Sequence, residues 1–400
     1  MQGTILSIGN ELLIGKTINT NLSIIAKTLY AMGIEVNQAL CVKDDVHSIH
    51  QALSQIDDAF IIITGGLGPT PDDLTKEAVC AFYGLELTLH QQSLKRIKDT
   101  FKTMHKTMDN SNLKQAYFPK SAIVLNNDNG TAPGAIFQVG HQTIVLLPGP
   151  PTELMPMLEP VKTYLLEHLD FEVFHGGYLV VGIGESEMEH QLEGFYNAHK
   201  DVLIAPYAGL GEIQYIFTSK DETALKNALK AFHKRFRDVI VGPYDTPLEH
   251  IVVQALQAQN KTISFAESCT GGLLAGRLIN VPGVSHVFNE SYVLYSDNAK
   301  IKRLGVHQSI IDQFGAVSNQ CVYELSYQLA QRTGADISVS VSGIAGPDGG
   351  TKDKPVGTVF FGITHEGRTK TMHHIFVGDR QMIRQKAVAF ALNLVIKTLT

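Results

Sequence analysis

The stretch AFIIITGGLGPTPDDLT, residues 59–75, decides how the first half of this chain folds. Ala59–Thr64 is an unbroken apolar run rich in β-branched residues, the pattern of a parallel strand covered on both faces. It runs directly into Gly65, Gly66 and Gly68, and the spacing beyond predicts a helix over Asp72–Tyr83 with its acidic residues in the first turn. In such a turn the glycines let N–H groups approach an anion, and a helix N-terminus adds partial positive charge. Thr70 completes the loop, and Asp72 with Asp73 offers hard oxygen donors suited to a divalent cation that bridges a pyrophosphate. An ordinary capped turn is the plainer reading of the same residues.

Working outward, short apolar strands are expected at Gly3–Gly9, Ile34–Val42, Ala122–Leu125, Ala135–Val139 and Thr143–Leu147. Helices are expected at Asn21–Met32 and Val46–Ile56, and from the prolines at Pro148, Pro150 and Pro151 to Glu167. This β-α alternation predicts a doubly wound sheet. Glu11 and Asn21 fall in loops near the end of its first strand, where ligands of open α/β sheets collect. From residue 171 the rhythm changes to strand (Tyr178–Val181), helix (Glu185–Ala198), two strands (Val202–Pro206, Glu212–Phe217) and helix (Thr223–Arg237), a small α+β unit. A third α/β unit runs from helix Leu248–Ala258 and strand Thr262–Ala266 to helix Arg380–Leu399. The expected domains are therefore 1–170, 171–245 and 246–400.

Composition narrows the function. The 400 residues carry 33 basic and 39 acidic side chains, net −6, against the concentrated basic face a duplex binder needs. Mean hydropathy is +0.03 and no apolar run approaches the ~18 residues of a membrane span. The start, MQGTILSIGNELLIG, lacks a signal-peptide core, so a cytoplasmic protein is expected. Cys41, Cys80, Cys269 and Cys321 form no CxxC pair, which excludes a zinc ribbon and a disulfide scaffold.

The sharpest constellation of the third unit is AESCTGG, residues 266–272, again where a strand meets a helix. A serine there exposes its hydroxyl beside backbone N–H groups able to hold an oxyanion, and Gly271 and Gly272 let a substrate come close. A helix N-cap is the alternative use of Ser268 or Thr270, and Cys269 is a rival nucleophile. A serine needs a base. No histidine lies in this loop, and His373 and His374 read as strand surface. A lysine made less basic by burial can serve instead, and Lys300 follows an apolar run in YSDNAK, residues 295–300. The loop SVSGIAGPDGG (340–350), with Ser342, Gly343 and Gly346, can donate to a phosphate or carbonyl, and Arg380 at a helix start is a further phosphate candidate.

Together these segments resemble the competence/damage-inducible protein family CinA over essentially the whole chain. The resemblance rests on GNELLIG (9–15), TGGLGPTPDDLT (64–75), NLKQA (112–116), GTAPG (130–134), LPGPPTEL (147–154), GIGES (182–186), AESCTGG, YSDNAK, SGIAGPDGGTKDKPVGTV (342–359) and GDR (378–380). It implies a molybdopterin-binding-like N-terminal domain, a KH-like middle domain and a C-terminal amidase domain. It further implies hydrolysis of nicotinamide mononucleotide to nicotinic acid mononucleotide and ammonia, without a cofactor. Ser268 would be the nucleophile, activated by Tyr295 and Lys300, with Glu267, Thr270, Gly271, Gly272, Ser342, Gly343, Gly346 and Arg380 at the substrate. In the N-terminal half the resemblance implies an ADP-ribose pyrophosphatase using Mg, Mn or Co at Asp72 and Asp73. Glu11, Asn21, Gly65, Gly66, Gly68, Thr70 and Lys114 would then surround the nucleotide. An N-terminal domain that binds a nucleotide or pterin without turnover, or an accessory role in DNA uptake or recombination, are the alternatives. The chain departs from the family's usual residues at Asn10, Lys76 and Asp297, the last standing where asparagine is common. The middle segment 167–245 carries 13 acidic and 7 basic residues and lacks a GxxG clamp at Gly209-Leu210-Gly211, so a spacer or oligomerisation unit is expected there rather than an RNA binder. No nucleic-acid or membrane partner is expected, and a homodimer is.

Overall fold

The computed structural model describes residues 2–168 and 172–400, which form two compact units divided between 173 and 174. The first expected boundary, between Asp170 and Phe171, lies outside the described residues.

Unit 1 is built on a six-stranded sheet of order β2-β1-β3-β8-β7-β6. Its strands are β1 (Gln2–Ile8), β2 (Glu35–Val42), β3 (Phe60–Thr64), β6 (Ile123–Leu125), β7 (Gly134–Val139) and β8 (Gln142–Leu147); β4 (Leu87–Leu89) and β5 (Tyr117–Pro119) pair apart from it. The central strands β2, β1, β3 and β8 are mutually parallel, and β7 and β6 return antiparallel. All of β3 is buried, for the reason its sequence suggests. Ile61 and Ile63 join a core with helices Val46–Leu53 and Thr75–Phe82, while Phe60 and Ile62 join a second core with helices Thr20–Ala31 and Pro151–Glu167. The sheet is thus doubly wound as expected.

Several element ends shift by a few residues from the sequence reading, and two of the differences have a clear local cause. The helix expected from Asp72 begins at Thr75, because Asp73 closes a turn on Thr70 instead of entering the first helical turn. The helix expected over Glu185–Ala198 is two, Glu185–Gln191 and Phe195–Ala198, broken at Gly194 in left-handed backbone (φ 82°).

Unit 2 holds two sheets. The first, antiparallel, has order β10-β11-β9-β12 from β9 (Phe174–Val181), β10 (Leu203–Ala208), β11 (Glu212–Ser219) and β12 (Ile240–Pro243). Gly209-Leu210-Gly211 is its β10–β11 hairpin tip. The second has order β14-β13-β15-β16-β17 from β13 (Ile263–Glu267), β14 (Phe288–Val293), β15 (Ile337–Gly343), β16 (Thr358–His365) and β17 (Arg368–Ile375). Strands β14, β13 and β15 run parallel. Segments 174–245 and 246–400 form one compact unit because they share a core: Leu179 and Val181 of β9 pack with Leu248, Val252 and Leu392. Arg277 ties the two segments further, donating to Glu212 at 2.6 Å and Glu249 at 2.8 Å. Among the described residues no helix is long and apolar enough to cross a membrane.

Candidate active site

The nucleophile loop of unit 2 leaves the C-terminal end of β13, where ligands of parallel sheets bind. Glu267 ends that strand fully buried, and its carboxylate accepts N–H bonds from Gly272 (2.9 Å), Leu274 (3.1 Å) and Ala275 (2.9 Å). It therefore caps the short helix Leu273–Leu278 from within and does not reach a substrate, correcting its expected role. Gly271 (φ 60°) and Gly272 (φ 92°) turn the chain in left-handed backbone that a side chain would strain. Gly271 N–H donates to Ser268 O at 3.1 Å and Gly272 N–H to Glu267, so neither is free for an oxyanion. The N–H groups of Cys269 and Thr270 instead face the Cys269 sulfur. Thr270 is itself fully buried with an unpartnered hydroxyl, and it does not line the cavity.

Ser268, Tyr295, Lys300, Ser342, Gly343 and Arg380 come together around one cavity of about 220 Å³. The Ser268 N–H is anchored to Val341 O at 2.9 Å, and its hydroxyl makes no hydrogen bond among the described residues. Lys300 is buried, with Nζ 3.4 Å from the main-chain carbonyl of Tyr295 and 3.7 Å from Asp297 Oδ1. Tyr295 thus meets Lys300 through its backbone; its phenol, 62% exposed, accepts from Arg380 Nη2 at 2.9 Å. Arg380 Nη1 donates to Gly346 O at 2.7 Å, which is how Gly346 joins the site. Ser342 donates its hydroxyl to Ala316 O at 2.8 Å and so props the cavity wall. Burial pushes the Cys269 thiol up to about 12, against its use as a nucleophile at neutral pH. Sequence reasoning missed Arg384, whose guanidinium pins the loop at Cys269 O (2.9 Å) and Thr270 O (2.8 Å) from 115 and 114 residues away. No local signal marks it.

A second cleft, about 540 Å³, opens in unit 1 at the C-terminal ends of β1, β3 and β8. Glu11, Asn21, Gly65, Gly66, Gly68, Asp72 and Asp73 line it, together with Asp44 and Glu153, which sequence reasoning missed. A Cβ on Gly65 would meet Ile8 O at 2.1 Å and one on Gly66 would meet Thr75 Oγ1 at 2.2 Å, so both positions demand glycine. Gly65 N–H is held by Leu147 O at 3.1 Å. Asn21 donates to Gly149 O at 2.6 Å, and its Oδ1 is buried without a partner. Thr70 and Lys114 do not line the cleft. Thr70 donates through N–H (2.8 Å) and hydroxyl (2.5 Å) to Asp73, while Lys114 Nζ donates to the Thr70 and Asp73 carbonyls, the latter at 2.8 Å. Both hold the loop's shape. Burial raises the Asp44 carboxyl above the usual range, and the charges of Glu11, Asp72 and Asp73 push the same way.

Lys76 supports this loop from beneath, donating to Lys114 O at 2.7 Å, and burial lowers its ammonium from 10.5 to about 8. Between pH 8 and 10.5 the unfolded chain keeps this proton and the folded chain releases it. Stability therefore rises with pH across that window, by up to ~3 kcal/mol from this group. Denaturant titrations at pH 7.5, 9 and 10.5 should show the native protein gaining on Lys76→Met as pH rises; parallel trends would contradict it.

Comparison with known proteins follows this geometry. The model described as "CinA C-terminal domain" matches residues 245–399 and that described as "Probable molybdopterin binding domain" matches residues 4–168. A Clostridium novyi protein provisionally named competence-damage inducible is 41% identical over 98% of this chain and 97% of its own. The chain belongs to the CinA family. A CinA-like protein of Kosmotoga olearia is likewise 41% identical, across 100% of this chain and 99% of its own. A crystal structure of a CinA superfamily protein from Klebsiella pneumoniae is 36% identical, covering 38% of this chain and 95% of that one with a TM-score of 0.37. Within the family frame, the doubly wound unit 1 corresponds to the molybdopterin-binding-like half, and the cavity at Ser268 lies in the CinA domain proper.

Proposed function

We propose that unit 2 hydrolyses the carboxamide of nicotinamide mononucleotide through an acyl-enzyme. The observation that carries this reading is the meeting of Ser268, Lys300 and Tyr295 with an exposed Arg380 around one cavity. Ser268 Oγ attacks the amide carbon while Lys300 Nζ, as general base, takes the hydroxyl proton. An oxyanion would draw on the N–H groups of Cys269 and Thr270, taking them over from the Cys269 sulfur, since those of Gly271 and Gly272 are engaged. The C–N bond breaks, ammonia leaves with the proton returned from Lys300, and water then cleaves the ester to release the carboxylate. Arg380 suits the substrate's phosphate.

A second reading concerns unit 1, where the carboxylates of Glu11, Asp44, Asp72 and Asp73 face a cleft large enough for a nucleotide. Like charges crowding Asp44 fit a hard cation with oxygen ligands. Among the described residues no three His, Cys, Asp or Glu side chains stand close enough to cage a metal, so phosphate oxygens and water would complete its shell. Asp72 and Asp73 would hold Mg, Mn or Co, which when bound neutralises pyrophosphate charge during cleavage of ADP-ribose. Asn21 and the Gly66–Gly68 backbone orient the nucleotide.

One two-substrate assay separates the readings. Chelator should abolish AMP release from ADP-ribose and leave ammonia release from nicotinamide mononucleotide intact. Asp72→Asn should lower the first by about tenfold to a hundredfold without touching the second. Undiminished ADP-ribose cleavage in that variant would remove Asp72 from the site.

A further inference from the structure

The phenol of Tyr295, the group expected to act beside Ser268 and Lys300, is held by Arg380. Arg380 opens the long helix Arg380–Leu399 and reaches across the cavity mouth, with Nη2 on the Tyr295 hydroxyl (2.9 Å) and Nη1 on Gly346 O (2.7 Å). These contacts occupy both arms of the guanidinium fork, the geometry that otherwise grips a phosphate bidentately. The other cation lining the cavity, Lys300, is buried and sits against Asp297, so an entering phosphate meets Arg380. A second observation bears on the same bridge. The cavity measures about 220 Å³, below the ~300 Å³ at which small-molecule pockets begin, and Tyr295 and Arg380 both line it, so the bridge narrows the space open to a mononucleotide. A phosphate dianion adds charge–charge attraction to the guanidinium that a neutral phenol or carbonyl lacks, and it displaces both.

We propose that Arg380 is a specificity-determining residue that couples recognition of the substrate's phosphate to Tyr295: the phosphate takes the guanidinium fork, and the released phenol turns towards Ser268 and Lys300. The coupling rests on the amide-hydrolase reading above. It makes the phosphate more than a handle, because occupancy of Arg380 sets the position of a catalytic hydroxyl and thereby raises kcat as well as lowering KM. Amides lacking a phosphate would bind a site whose tyrosine is still tied back.

The test compares ammonia release from nicotinamide mononucleotide and from nicotinamide riboside, the same amide without the phosphate, with and without added phosphite dianion. In the native protein kcat for the mononucleotide should exceed that for the riboside by roughly 10- to 100-fold, and phosphite should raise riboside kcat several-fold. In Arg380→Ala the two substrates should come within about threefold of each other, and phosphite should no longer accelerate. In Tyr295→Phe the phosphate should still lower KM, but its advantage in kcat should vanish. Any of three results overturns the coupling: equal kcat for both substrates in the native protein, no response to phosphite, or an Arg380→Ala defect of the same factor on both substrates. Release of ammonia from neither substrate by the native protein is a different failure. It removes the hydrolase reading, and the coupling with it.

Discussion

Ser268→Ala should fold normally and lose at least about 10³-fold in ammonia release from nicotinamide mononucleotide. Its fold should survive because the hydroxyl makes no hydrogen bond among the described residues, so alanine strands no partner. The loop is shaped by other groups: the Ser268 main chain on Val341, the Glu267 carboxylate and the Arg384 guanidinium. Activity should fall because Cys269, the rival nucleophile in the loop, is buried with its thiol pushed up to about 12, and the Thr270 hydroxyl is fully buried. Lys300→Met keeps the volume of a buried side chain and should suppress turnover comparably. Residues that act as one unit lose activity non-additively, so the double variant should be scarcely worse than either single one. Cys269→Ser should retain turnover within a few-fold. Ammonia release by Ser268→Ala within tenfold of native would end the acyl-enzyme reading, and a dead Cys269→Ser beside it would move the chemistry to the thiol.

The residues themselves show why some of this was legible in sequence. The run Phe60–Thr64 reads as a doubly covered strand because every side chain must be apolar when both faces are packed, and the two cores divide it by alternation. Loops at strand ends are legible through their glycines, as Gly65 and Gly66 have no room for a Cβ. Hence Gly65, Gly66, Gly68, Asp72, Ser268, Tyr295 and Lys300 all line the cavities expected of them. What the chain hides is partnership across distance. Asp44 and Glu153 look like ordinary surface acids until the sheet gathers them to one cleft, and Arg384 sits in a long helix like any solvated arginine. Asp297 stands out in sequence as a departure from the family's usual asparagine, and a single helical turn brings its carboxylate to 3.7 Å from Lys300. Lys114 and Thr70 failed as ligands for the same reason: a polar residue in a binding loop is as readily engaged by the loop itself.

Glu267 poses that ambiguity in its sharpest form, and it can be resolved. Beside a nucleophilic serine it reads as a substrate carboxylate; in the fold it closes three backbone N–H groups at the base of the helix Leu273–Leu278. Glu267→Ala would leave those buried donors unsatisfied, each costing about 1–3 kcal/mol, so a loss of ~4 kcal/mol in unfolding free energy is expected. Turnover should fall in the same variant, because the loop that presents Ser268 loses its anchor. Glu267→Gln is the discriminating change. The amide keeps one acceptor oxygen but presents N–H groups to the others, so it can satisfy at most part of the set. A cap predicts that Glu267→Gln is intermediate in denaturant midpoint and in kcat together, with KM for nicotinamide mononucleotide nearly unchanged. A residue touching substrate predicts the opposite split, with native stability and a selective loss of KM or kcat. Equal midpoints for Glu267→Gln and the native protein, with turnover gone, would return Glu267 to the substrate. The buried carboxylate, with two of its three bonds at 2.9 Å, argues that stability and turnover will move as one.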